Sequence, residues 1–121
     1  MFARKFSAAL LISGLFAGTA LAQGALVEIE DNVQVSAFSA TADQVDDWNV
    51  YAADGTKIGD IEEVVGTAAN TPTALVVDFD GKGGYADRDV VIPFDQFTKQ
   101  NDRLVLNADA AAVGAMPVWN D

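Results

Sequence analysis

The stretch from Thr73 to Phe97, TALVVDFDGKGGYADRDVVIPFDQF, constrains this chain more than any other. Leu75, Val77 and Phe79 alternate with Val76, Asp78 and Asp80, the period of two expected of a strand with one face buried and the other wetted. Val90 and Ile92 repeat the pattern and lead into Phe94, while Gly81, Gly83 and Gly84 supply the positive φ that a reversing chain needs. The segment therefore reads as a hairpin at the centre of a small β-barrel, with Pro93 and Phe94 closing its second strand.

The chain before it divides in two. Met1 to Ala22 has a basic start at Arg4 and Lys5, an apolar run from Phe6 to Phe16, and the small-x-small site Ala20-Leu21-Ala22, the marks of a secretory signal cleaved to leave Gln23 as the first residue. The alternative is an uncleaved anchor, but Ser13, Gly14, Gly18 and Thr19 interrupt the run. Cysteine is absent, which excludes a lipid-modified cysteine and any disulfide. Residues 23–47 read as an N-terminal arm with a short strand and a helical turn, and 48–121 as the barrel. The chain beyond the signal is long enough for one hydrophobic core and too short for two ordinary domains.

Eighteen acidic against seven basic residues give a formal net charge of −11, and loss of Arg4 and Lys5 with the signal leaves five against eighteen, or −13. This charge argues against nucleic acid as a partner, since phosphate neutralisation needs clustered Lys and Arg. Solubility of an exported protein accounts for the acidity; attraction of cations or of a basic partner is the sharper alternative.

In chain order, Gly24 to Gln34 is an extended arm or a first strand, and Thr41-Ala42-Asp43-Gln44 fits a capping box for a helix of one or two turns ending before Trp48. Val50 to Ala53 and Thr56 to Val65 read as strands joined by Asp54-Gly55 in a type I′ turn, with a bulge or bend at Gly59. Gly66 to Thr73 reads as a connecting turn, Asp95-Gln96-Phe97 as one helical turn, and Lys99 to Asp102 as a polar turn. Arg103 to Leu106 is the last strand, with Leu104 and Leu106 inward. Asn107 is placed as the N-cap of an alanine-rich helix, Ala108 to Ala115, that Met116-Pro117 ends and that covers one open end of the barrel.

The succession VYAADGTKIGDIEEVV, TALVVDF, the glycine-bearing loop with DVVIPFDQF, and RLVLNADAAAVGAMP, from Val50 to Pro117, resembles the PRC-barrel family, named for the cytoplasmic domain of the photosynthetic reaction centre H subunit. The resemblance implies a mainly β fold, a small, partly open antiparallel barrel with short helical turns and a short C-terminal helix. It implies assembly and interaction rather than catalysis, and carries no catalytic residue.

The absence of histidine and cysteine removes Ser-His-Asp and Cys-His catalysis, thiol redox chemistry and the usual zinc sites. Asp78 and Asp80 fall on one strand face, where a carboxylate pair could act in acid-base chemistry, although solvated aspartates fit the pattern better. Asp78, Asp80, Asp87 and Asp89 flank the Gly81-Lys82-Gly83-Gly84 loop and are the candidate calcium ligands, against a spacing that fails the EF-hand pattern and the opposing charges of Lys82 and Arg88. Trp48, Tyr51, Tyr85 and Trp119 form a contact surface or, alternatively, fill the core. The expectation is a periplasmic, non-enzymatic module without a cofactor, bound to another envelope protein and not inserted in the membrane after cleavage. A calcium-responsive binding module comes second and an enzyme third.

Overall fold

The computed structural model describes residues 26–120, and the signal segment, its cleavage site and Gly24 lie outside them. Nine strands form among the described residues: β1 (Val27–Glu28), β2 (Gln34–Val35), β3 (Ala40–Thr41), β4 (Asn49–Tyr51), β5 (Lys57–Ala68), β6 (Thr71–Phe79), β7 (Asp89–Pro93), β8 (Phe97–Gln100) and β9 (Arg103–Leu106). Two short helices, α1 (Ala42–Asp46) and α2 (Ala110–Gly114), and 3-10 turns at Ser36–Phe38 and Phe94–Gln96 join them.

One curled sheet runs β7-β6-β5-β4-β9-β8, with β1 added alongside β5, and β2 pairs separately with β3. Each pairing is antiparallel except that of β4 with β9, which is parallel. Parallel strands need a long crossover, and here everything from β5 to β8 supplies it. The central strand is β5, which pairs with β4 through its first half, β1 through its second and β6 along its other edge. The β6–β7 hairpin thus lies at one end of the strand order, not at its centre.

That hairpin is otherwise built as its pattern requires: Leu75 faces Ile92, Val77 faces Val90, and Gly81, Gly83 and Gly84 all have positive φ. Its two faces differ from expectation. Leu75, Val77, Phe79, Val90 and Ile92 enter the main core, but Ala74 and Val76 on the opposite face are also fully buried. They form a second, smaller core with Leu26, Val65 and Val91, against which Trp119 packs. An antiparallel sheet can leave one face to water; here segments from both ends of the described chain cover it.

Residues 26–47, expected as an arm with a short strand and a helical turn, carry short strands and α1 and also pack into the main core. Val35 and Val45 have no exposed surface, and Phe38 meets Trp48, Phe94 and Phe97 edge-to-face at 5.2–6.4 Å between centroids. Val35, Phe38, Val45 and Trp48 belong to the main core. The capping box forms: the Gln44 N–H donates to Thr41 Oγ1 at 3.3 Å and the Thr41 N–H to Gln44 Oε1 at 2.8 Å.

Several local expectations change for identifiable reasons. The Asp54-Gly55 turn is not type I′, because Gly55 has φ +93° while Asp54 does not have positive φ. Instead, Gly55 N–H donates to the Ala52 carbonyl, Ala52 N–H to the Thr56 carbonyl, and Asp54 Oδ1 accepts from the Thr56 N–H at 3.0 Å. This is the three-residue loop with a terminal left-handed glycine. The bulge near Gly59 is present as a register shift between Val50 and Tyr51, whose partners are Gly59 and Lys57.

Gly66 to Thr73 is mostly strand, leaving only Ala69 and Asn70 as the turn. Pro72 is tolerated there opposite Gly66 at a second irregularity of the ladder. Lys99 and Gln100 likewise extend β8, so the polar turn shrinks to Asn101 and Asp102. Asp109, not Asn107, caps the last helix, accepting the Ala112 N–H at 2.9 Å. Asn107 is held elsewhere: its N–H donates to the Gln96 carbonyl and its side-chain amide to Thr98.

Candidate functional site

The four aromatics, read either as core or as a contact surface, separate into three places, and both Trp48 and Tyr85 are buried in the main core. Tyr85 is buried, stacked on Phe79 at 5.1 Å between centroids, and its hydroxyl donates to the Ala108 carbonyl at 2.7 Å. Burial, then the charges of Asp109 and Asp54, pushes its pKa upward, so it remains a neutral core residue that ties the β6–β7 loop to the segment before α2. Trp119 packs on the second core. Trp48 and Tyr51 do come together, at opposite ends of the short span from the end of α1 through β4.

These two aromatics line an open groove of about 590 Å³ where β4, the β8–β9 turn and the segment before α1 meet. Each is covered by a cation. Lys99 Nζ sits 5.5 Å from the centroid of Trp48, and the Arg103 guanidinium carbon 4.2 Å from that of Tyr51, within the range of cation–π attraction. Parallel pairing of Asn49 with Arg103 and Tyr51 with Val105 brings the arginine beside the tyrosine, which sequence alone does not show. Gln44, Asn49 and Asn101 add amides to the walls, and Asp47 and Asp102 add carboxylates.

Backbone strain gathers in the same place. The two non-glycine residues with positive φ among the described residues, Ser39 at 55° and Asn101 at 60°, both line the groove. Asparagine tolerates this region through its short polar side chain; serine there is rarer, and such conformations cluster at functional sites.

Asp46, which precedes the groove residue Asp47, ends α1 with Oδ1 buried and unpartnered. Desolvation, reinforced by the negative charges of Asp31, Asp43, Asp47 and Glu28, pushes its pKa up to about 6. No histidine was available to draw attention to this position, and an aspartate among aspartates gives no signal in the sequence.

The acidic hairpin is more dispersed than its spacing suggests. Asp78 stands opposite Asp89 on β7 and Asp60 on β5, whereas Asp80 and Asp87 are exposed beyond the strand ends. Among the described residues, no group of three or more acidic side chains is placed to hold a metal ion.

A family model described as the PRC-barrel domain matches residues 40–113, more than half of the chain, and the chain belongs to that family. No curated protein matches it. The matched span contains β3 through most of α2 and every wall of the groove except Ser39. It excludes Leu26 and Trp119, the residues that cover the second core from either side of the matched domain.

Proposed function

We propose that this PRC-barrel protein is a non-enzymatic interaction module of the periplasm, exported by cleavage after Ala22, whose contact surface is the groove between Trp48 and Arg103. The observation that carries the reading is the pair of cation–aromatic stacks. Aromatic residues and arginine are among the side chains enriched where protein surfaces bind one another, and the cation–π contacts bias Lys99 and Arg103 toward these positions before a partner arrives. A sequence without histidine or cysteine supports the non-catalytic part. The signal-like first 22 residues support export, and no helix among the described residues is long and apolar enough to cross a membrane.

A photo-reactive side chain placed at Asn101 in the groove and, separately, at Lys82 on the distant loop tests this in intact cells. The expected outcome is a defined crosslinked protein from the envelope fraction at Asn101 and none at Lys82, together with an intact mass that begins at Gln23. A full-length chain retained in the inner membrane, or equal crosslinking at both positions, overturns it.

A further inference from the structure

The chemistry of the groove specifies what kind of segment it binds, on the reading that it is an interaction surface. We infer that it takes an extended, carboxylate-bearing peptide of a partner protein, laid along the open edge of β8. Three observations converge on this occupant.

The first is charge. Lys99 and Arg103 are two of only five basic residues after the signal, and neither forms an ion pair among the described residues. Each instead lies on an aromatic ring. The Arg103 guanidinium carbon lies 4.2 Å from the Tyr51 ring centroid on an exposed side chain, and a guanidinium so placed can offer N–H groups for two parallel bonds to a carboxylate. The cation–π contact favours this placement, which lowers the entropy lost on binding.

The second is the sheet edge. Among the described residues, β8 ends the strand order and pairs with β9 alone, with Thr98, Lys99 and Gln100 exposed. In an antiparallel pair every second residue directs its N–H and C=O away from the partner strand, so β8 offers a row of backbone groups beside the two cations. The opposite end of the sheet is already occupied: the Val91 N–H donates to the Pro117 carbonyl and the Trp119 N–H to the Asp89 carbonyl along β7. Of the two ends of the strand order, β8 is the one that no other described segment pairs with, and it can accept an added strand by edge pairing, one of the recurring modes of peptide recognition.

The third selects peptide over denser anions. Asp47 and Asp102 stand in the same groove, which makes its net charge close to zero, and the chain as a whole is strongly acidic. A polyphosphate, a sulfated glycan or an anionic lipid surface would meet repulsion from both. Isolated carboxylates spaced along a chain can reach the cations between the aspartates, while the amides of Gln44, Asn49 and Asn101 meet peptide groups.

A fluorescein-labelled peptide of alternating Glu and Thr, followed by anisotropy with the folded protein, is the direct probe. Saturable binding is expected, weakened about tenfold by either R103Q or K99Q, the scale of one charge-assisted contact, and unchanged by K82Q. R103K should recover only part of the loss, because lysine lacks the planar fork. The inference is overturned if the Gln-Thr version binds equally well. It is also overturned if the two substitutions leave affinity unchanged, or if heparin or anionic vesicles bind through Arg103 and the peptide does not. Crosslinking at Asn101 with no peptide binding would sink this inference while sparing the interaction reading; loss of both would sink both.

Discussion

Gly66 and Gly55 show that two glycines can be required for unrelated reasons. A Cβ at Gly66 would overlap the Thr71 carbonyl, because β5 and β6 approach closely where Pro72 interrupts the ladder. At Gly55 a Cβ meets nothing, and only the backbone angle objects. Gly66→Ala should therefore cost on the order of 3 kcal/mol or more through a forced backbone shift, and Gly55→Val about 1 to 3 kcal/mol through strain alone. Chemical denaturation decides between them: a milder loss at Gly66 would mean that the strands separate there without cost. Asp46 gives a second test at this scale. Its carboxyl has an ordinary value of 3.8 unfolded and about 6 folded, so between these values the native state binds the additional proton. Its contribution to stability is then greatest below about pH 4 and falls as pH rises through 6. Asp46→Asn should raise Tm at pH 7 and flatten this fall, by less than the full shift implies because much of the group meets water. A parent protein whose Tm rises between pH 5 and 7 while the Asn variant stays level would reverse the assignment.

At the scale of elements, the outer face of β5, β6 and β7 depends on pieces from both ends of the described chain. Leu26 is 6% exposed on this face, whereas its neighbour Val27 is 45% exposed. Leu26→Ala should destabilise by about 2 to 3 kcal/mol, and Val27→Ala by less than about 0.5 kcal/mol. Equal denaturation midpoints for the two variants would mean that the N-terminal strand does not seal the second core. The alternation Val76, Asp78, Asp80 suggested a wetted face because it was read within one strand. Val76 stays dry only because Leu26, about fifty positions earlier, and Trp119, about forty later, arrive over it. The last helix behaves in the same way at its start: Asn107 has the chemistry of a cap but is held by the β8 side of the sheet, so Asp109 takes the role.

For the molecule as a whole, the acidic charge leads to one further expectation. Calcium at millimolar concentration should raise Tm only slightly, by mass action on weak, dispersed association with carboxylates such as Asp78, Asp80, Asp87 and Asp89. A saturable isotherm of micromolar affinity, lost in Asp80→Asn, would instead establish a calcium site. The residues determine on their own what is local. Alternation sets strands, positive φ sets glycines, a capping box sets the start of α1, and the order of these segments was enough to place the chain in its family. Each of those signals acts over a few residues, where bonding geometry and burial can be read along the chain. The tertiary structure alone decided that β4 pairs in parallel with β9, that segments from both sides of the matched domain seal the outer face, and that Lys99 and Arg103 settle on Trp48 and Tyr51. These contacts join residues roughly forty to fifty positions apart. Their energy comes from surfaces meeting after the sheet has curled, so no periodicity within a single segment records them.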